Sequence, residues 1–298
     1  MPGMRTVLCL LLLWVGVALG APVKVACLHP LLSDMARRVG GEHVQVVNLF
    51  PPNAELHAFA PTSAEVSQAV GCRLVLACGK GVEPYLADLR QALTAKVQVL
   101  ELGENVPDVA APGGQVIDPH WWNAPENMKR ASLALADALK QLDPAHATEF
   151  QAGQVEYARA MDALTRRARV ELARIPREQR VLVSAHAAMC HFCDAFRLQP
   201  IAAQGVAKES EGDTAHMARL LAELRERGVR CVFTELQDSP KFLENIARQI
   251  GAQCRPLVMD GIAPGMEDYE SVFLFNLRSL REGLTGQQID RHENGSAH

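Results

Sequence analysis

The chain has 298 residues and a formal net charge of −4, and no run of Lys or Arg gives it a nucleic-acid footprint. With 48% hydrophobic and 21% charged residues it has the composition of a globular protein rather than a disordered one. Its length suits one or two domains with a buried core.

Met1 to Arg5 is a short basic start, Val7 to Val17 is an uncharged apolar run, and Ala18-Leu19-Gly20 offers small residues before Ala21. This pattern predicts a secretory signal peptide over residues 1–20 and an exported mature protein. No second apolar stretch approaches the ~18 residues of a membrane span, so the mature chain is expected not to cross a membrane. A lipid-attachment role for Cys27 is rejected, because Lys24 stands where that signal wants an aliphatic residue. Setting aside Cys9 in the signal leaves seven cysteines, an odd number. Cys72 and Cys78 flank a strand that would hold them about 20 Å apart, beyond disulfide reach. Cys27 with Cys78, or Cys231 with Cys254, would need neighbouring strands.

Apolar β-branched runs then alternate with helical ones. Strands are predicted at Val23 to Cys27, Val44 to Leu49, Leu74 to Ala77 and Val97 to Leu100. Helices are predicted at Leu31 to Val39, Ser63 to Ala69 and Glu83 to Leu93, with another opened by Pro125. The alternation returns later, with strands at Val181 to Ser184, Ile201 to Ala203, Cys231 to Thr234 and Arg255 to Met259. Helices there are expected at Ala187 to Phe196, Asp213 to Arg227, Pro240 to Ile250 and Glu267 to Leu284. Both halves read as α/β units with mostly parallel sheets buried on both faces. The polar residues 286–298, with His292 and His298, read as a fraying tail.

Between the halves, Asp143 to Pro176 reads as one long helix. Asp143 offers a capping carboxylate, Pro144 suits the first helical position, and no proline follows until Pro176. Phe150, Tyr157, Met161, Leu164, Ala168 and Leu172 mark one face at helical spacing. From Pro144 to Ile175 the rod would be about 48 Å long, enough to join two lobes.

In open parallel sheets, ligands bind beyond the carboxyl ends of the strands. Four metal-competent residues are predicted there: His57 after the second strand, His120 in Asp118-Pro119-His120-Trp121-Trp122, His186 two residues after Ser184, and Asp260 after Met259. Two come from each half. Any one of them read alone is an ordinary surface or core residue; their coincidence points to a cation.

These segments resemble the zinc and manganese solute-binding proteins of bacterial ABC importers. The resemblance rests on Pro52 to His57, Asp118 to Trp122, Ser184 to Phe192, Glu209-Ser210-Glu211-Gly212-Asp213, and Phe233 to Gln237 followed by Asp260. It covers nearly all of Val23 to Leu284. It implies two βα-sandwich lobes joined by one long connecting helix, with lobes at residues 21–142 and 177–285 and the helix at 143–176. It also implies a metal held by His57, His120, His186 and Asp260. Function would then be high-affinity capture of a divalent metal, Zn2+ first and Mn2+ as the alternative, in the periplasm by a monomer that delivers it to a membrane permease.

The chain departs from the family pattern at Ala187, Cys190 and His191, where Asp, Gly and Tyr are usual, and at Ala124, which replaces an Asp. Asp118, Glu55 and Glu235 remain as partners for the imidazoles. Cys190 and Cys193 form a C-x-x-C that reads as buried small residues on a helix, with a thiolate from Cys190 in place of Asp260 as the sharper alternative. Trp121 and Trp122 read either as walls of the site or as plain core. No histidine-rich loop lies between His57 and His120.

Three imidazoles and a carboxylate suit zinc, and manganese-carrying relatives commonly have Glu where this chain has His186. A zinc hydrolase is the competing class. Four protein donors leave no position for a catalytic water, and no H-E-x-x-H helix or nucleophile elbow is present. The chain is therefore expected to be a receptor and not an enzyme.

Overall fold

A computed structural model describes residues 21–51, 55–204, 214–236 and 239–287. The signal segment, residues 52–54 of the Pro52 to His57 loop, the Glu209 to Asp213 motif, Gln237 and the tail histidines lie outside the described residues.

The first lobe is built on four parallel strands, β1 (Val23–Cys27), β2 (Val44–Asn48), β3 (Leu74–Ala77) and β4 (Gln98–Glu101), in the order β2-β1-β3-β4. Helices α1 (Pro30–Gly40), α2 (Ser63–Val70), α3 (Leu86–Ala92) and α4 (Pro125–Leu142) cover it. Every residue of β3 is buried, as expected of a strand covered on both faces. In register, Val25 pairs with Leu74 and Cys27 with Leu76, so both strands end at the same edge. That edge carries the loops of the site.

The second lobe repeats the plan. β5 (Val181–Ser184) pairs in parallel with β6 (Gln199–Ala202), β7 (Cys231–Glu235) pairs in parallel with β8 (Gln253–Leu257), and β5 runs beside β7. Helices α6 (Cys190–Phe196), α7 (Thr214–Glu226), α8 (Lys241–Ile250) and α9 (Tyr269–Thr285) complete it. Two strands start earlier than the sequence suggests, because Pro200 sits inside β6 and Pro256 inside β8. Both strands flank the β5–β7 centre, where a missing N–H is tolerated on the outward side. The sixth helix starts later than expected. Ala187 to Met189 form a bend and the entry to the helix, and Cys190 opens it.

The connecting helix, α5 (Ala147–Ala173), is 27 residues long, about 40 Å. Its buried face holds Phe150, Tyr157, Met161, Leu164, Ala168 and Leu172, the residues that the spacing singles out. The face packs on α1 and α4 of one lobe and on α6 and α9 of the other. Its beginning differs from expectation. Pro144–His146 is a turn of 3-10 helix, and the Asp143 carboxylate caps no backbone N–H but accepts from His146 Nδ1 at 2.6 Å. A local imidazole has won the carboxylate that the first helical turn would otherwise use.

All seven described cysteines are free thiols. The Cys231–Cys254 pairing fails on the pleat. Cys254 stands opposite Val232 in the ladder, so it shares that residue's face while Cys231 points to the other. Cys27, fully buried at the end of β1, belongs to the core rather than to a lipid anchor. No helix among the described residues is long and apolar enough to cross a membrane.

Candidate metal centre

The four residues singled out by strand-end reasoning converge. One donor atom from each of His57, His120, His186 and Asp260 lies within 4.8 Å of every other. His57 Nε2 and His120 Nε2 are 3.0 Å apart, and Asp260 Oδ1 is 3.6 Å from His120 Nε2. Its Oδ2 is 3.9 Å from His57 Nε2 and 4.0 Å from His186 Nε2. Neighbouring ligands on a tetrahedral zinc ion with bonds of about 2.0–2.1 Å stand about 3.3 Å apart, so only small movements separate this cluster from a coordination shell.

Local structure explains the convergence. His120 hangs from a loop between β4 and α4 whose backbone is pinned by an antiparallel bridge, Ala110 to Ile117, and by Asp118 N–H donating to Val109 O at 2.9 Å. The Asp118 carboxylate, fully buried, accepts at Oδ1 from His120 N–H (2.8 Å) and from His120 Nδ1 (2.7 Å). Burial pushes this carboxyl up, but the His120 contacts outweigh it and hold Asp118 below the ordinary carboxylate range. A carboxylate at Nδ1 fixes the ring proton there and leaves the Nε2 lone pair for a cation. Glu235, at the end of β7, does the same for His186, with Oε1 2.6 Å from Nδ1. Asp118 and Glu235, two of the carboxylates expected to brace imidazoles, do so.

Asp118 also ties the lobes together. Its Oδ2 accepts from Cys190 N–H at 2.8 Å, and its main-chain carbonyl accepts from His191 Nε2 at 3.0 Å. Asn127 Nδ2 donates to His191 Nδ1 at 3.1 Å, which sets the tautomer. Asn123 Nδ2 reaches Ala188 O at 2.8 Å and Met259 O at 3.2 Å, and Tyr269 OH donates to Trp122 O at 2.9 Å. His191, standing where the family pattern has Tyr, is therefore a buried strut between lobes.

The thiolate alternative is not what the geometry brings together. Cys190 contributes its backbone N–H to Asp118, its sulfur faces Ala187 O at 3.8 Å, and burial pushes its thiol well up. Cys193 is buried and shifted the same way for the same reason. Both behave as small core residues.

The two tryptophans divide the roles proposed for them. Trp122 walls the site, its ring 5.3 Å from His120, with Nε1 donating to Met259 O at 2.8 Å. Trp121 is core: it donates to Cys78 O at 3.0 Å and lies over Gly103, where a Cβ would come within 2.4 Å of that carbonyl.

Sequence reasoning missed His29, Asn123 and Tyr269. His29 had a legible signal, since it follows the end of β1 by two residues, as His186 follows β5. Asn123 and Tyr269 act through contacts 65 to 147 residues away in sequence, which no local pattern carries.

Two parallel α/β lobes bridged by one helix, with a cation-sized cluster of three imidazoles and a carboxylate at their junction, define a metal-binding receptor of the solute-binding class. Residues 25–283 match the family model described as the periplasmic component A of a zinc-uptake complex, and the chain belongs to that family. It is 25% identical over 275 residues to the manganese-binding lipoprotein MntA of Bacillus subtilis, covering 88% of this chain and 90% of that one. It is 26% identical over 238 residues to the iron-binding protein YfeA of Yersinia pestis, covering 77% and 75%. In fold it superposes on the periplasmic zinc-binding protein TroA of Treponema pallidum with a TM-score of 0.80 at 23% identity, over 89% of this chain and 99% of that one.

Proposed function

We propose that this chain captures zinc through His57, His120, His186 and Asp260 and hands it to the permease of an ABC importer. The observation that carries this reading is the donor cluster, in which four strand-end loops place three imidazoles and one carboxylate within 4.8 Å of one another. Nitrogen-rich, borderline-soft donors suit zinc's tolerance for tetrahedral N and O ligands, and the divalent affinity order puts zinc well above manganese at such a site. The lobes divide at residues 21–142 and 177–285 around the helix at 143–176, so the ion sits where their relative motion can release it. Four protein donors close the tetrahedron, and the chain acts as a receptor rather than an enzyme. It works as a monomer in the periplasm after loss of residues 1–20.

Manganese is the second reading, favoured by the manganese-binding relative. Competition on metal-free protein decides between them: zinc displacing manganese at equal concentration is expected. Manganese held at parity would overturn the zinc assignment, and loss of neither metal in His120→Ala would overturn the ligand set.

A further inference from the structure

His29 belongs to none of the roles above, yet it is fully buried beside the site. It is the N-cap of α1 in extended conformation, and its Nδ1 accepts the Leu31 N–H at 3.2 Å. An imidazole that accepts at Nδ1 carries its proton on Nε2 when neutral. The ring is fully buried, where a charge would be costly to hold. Among the described residues the Nε2–H meets no hydrogen-bond acceptor in bonding geometry, a costly state for a buried donor.

Its surroundings say what it is aimed at. The ring lies 4.6 Å from Trp122, the same indole that packs on His120. The next residue, Pro30, meets the turn that carries Asp260. Gly261 has φ +144, and a Cβ there would come within 3.1 Å of Pro30 Cγ. Asp260, the residue before Gly261 in this turn, lies near enough for its charge and main chain to offset part of what burial does to the His29 imidazole. The second lobe therefore brings its one acidic donor to the metal cluster by seating residues 260–261 on His29 and Pro30 of the first.

His29 is not a fifth metal ligand. Presenting a bare Nε2 would require moving the proton to Nδ1, and that would break the α1 cap. A fixed donor with its acceptor one short movement away is the better match.

We propose that His29 is a positioning residue for Asp260: when the lobes close on metal, its Nε2–H donates to the Asp260 main-chain carbonyl and holds the carboxylate at coordinating depth. This rests on the reading of Asp260 as a ligand. It makes α1 a direct sensor of the loaded site, since the residue that caps the helix also grips the ligand turn across the lobe junction.

Two substitutions separate cap from grip. His29→Asn keeps a good capping oxygen and loses the donor at the Nε2 position, whereas His29→Gln restores an N–H near that position. By calorimetry, His29→Asn should weaken zinc binding about ten- to a hundredfold, the range for residues that orient metal ligands, while the metal-free protein melts near the parent temperature. His29→Gln should recover much of the loss. In an Asp260→Ala background His29→Asn should cost nothing further, because there is no carboxylate left to position. Parent-like affinity in His29→Asn, or an equal loss with and without the Asp260 carboxylate, would overturn the inference and leave the ligand set standing. Unchanged zinc affinity in Asp260→Ala alone would instead sink the ligand set and the inference with it. If His29→Asn is unstable, His29→Phe keeps the ring against Trp122 but removes cap and donor together, so the grip is read from its coupling to Asp260→Ala: a smaller zinc-affinity loss in that background supports the inference and an equal loss overturns it.

Discussion

The donors of the cluster are held in two different ways. His120 and His186 are each 2% exposed, and each is gripped at Nδ1 by a buried carboxylate, Asp118 or Glu235. His57 and Asp260 lie nearer solvent, with side chains 34% and 15% exposed. One pair is a preset, desolvated half-site drawn from both lobes, and the other is the side of the cluster that faces solvent. Preorganised donors lose little freedom on coordination and set affinity, whereas exposed donors lose more and set access.

Breaking the buried pair should have the largest effect. Structural zinc sites bind with roughly 10–16 kcal/mol, so losing one of four donors should cost on the order of a hundred- to a thousandfold in affinity. His120→Ala and His186→Ala are expected at the upper end and His57→Ala at the lower, measured by calorimetry against a competing chelator. Equal losses at all three positions would erase the distinction between the two halves.

Next come the braces. Asp118→Asn and Glu235→Gln keep shape but remove the charge that fixes each ring proton at Nδ1, and each should weaken zinc binding about ten- to a hundredfold. Asp118→Asn should be the more damaging, because the same side chain also accepts the Cys190 N–H from the other lobe. If the two variants match the parent, the carboxylates are structural and the preset half-site is not preset.

Most of this architecture was legible in the sequence, for an identifiable reason. The βα alternation, the spacing on the long helix and the positions of His57, His120, His186 and Asp260 at strand ends are local patterns, and the fold converts strand ends into spatial neighbours. Long-range side-chain contacts were not legible. Asn123 reaching Met259, Tyr269 reaching Trp122 and His191 reaching Asp118 each join segments far apart in the chain, and nothing in their local composition announces it. Asp143 illustrates the opposite error: a strong local signal for a helix cap was overridden by His146 three residues on.

Acid should act on the two halves together. Imidazoles ligate only when neutral, so zinc binding should weaken as pH falls below about 6.5, their ordinary value. Zinc stabilises the folded state alone, and the rise in melting temperature on adding it should shrink between pH 7 and pH 5. A rise unchanged across that interval would mean that histidines are not the donors.

The smallest expected effect concerns the strut that joins the lobes, in the absence of metal. Burial pulls His191 below the ordinary histidine range, and the neighbouring Asp118 only partly offsets this. The group is thus neutral in the folded protein at pH values where the unfolded chain has already bound a proton. Stability from a depressed imidazole is fully present above the unfolded value of about 6.5 and is lost as pH falls from there toward the folded value. The slope from this one site is at most about 1.4 kcal/mol per pH unit. His191→Gln keeps a donor for the Asp118 carbonyl and an acceptor for Asn127 but does not titrate. In chelator-treated protein, urea denaturation at pH 7 and pH 5 should show the variant losing less stability on acidification than the parent, even if it starts lower. The ligand imidazoles are the same in both proteins and cancel in the comparison. A parallel loss in the two would mean that His191 does not carry the acid sensitivity of the lobe junction.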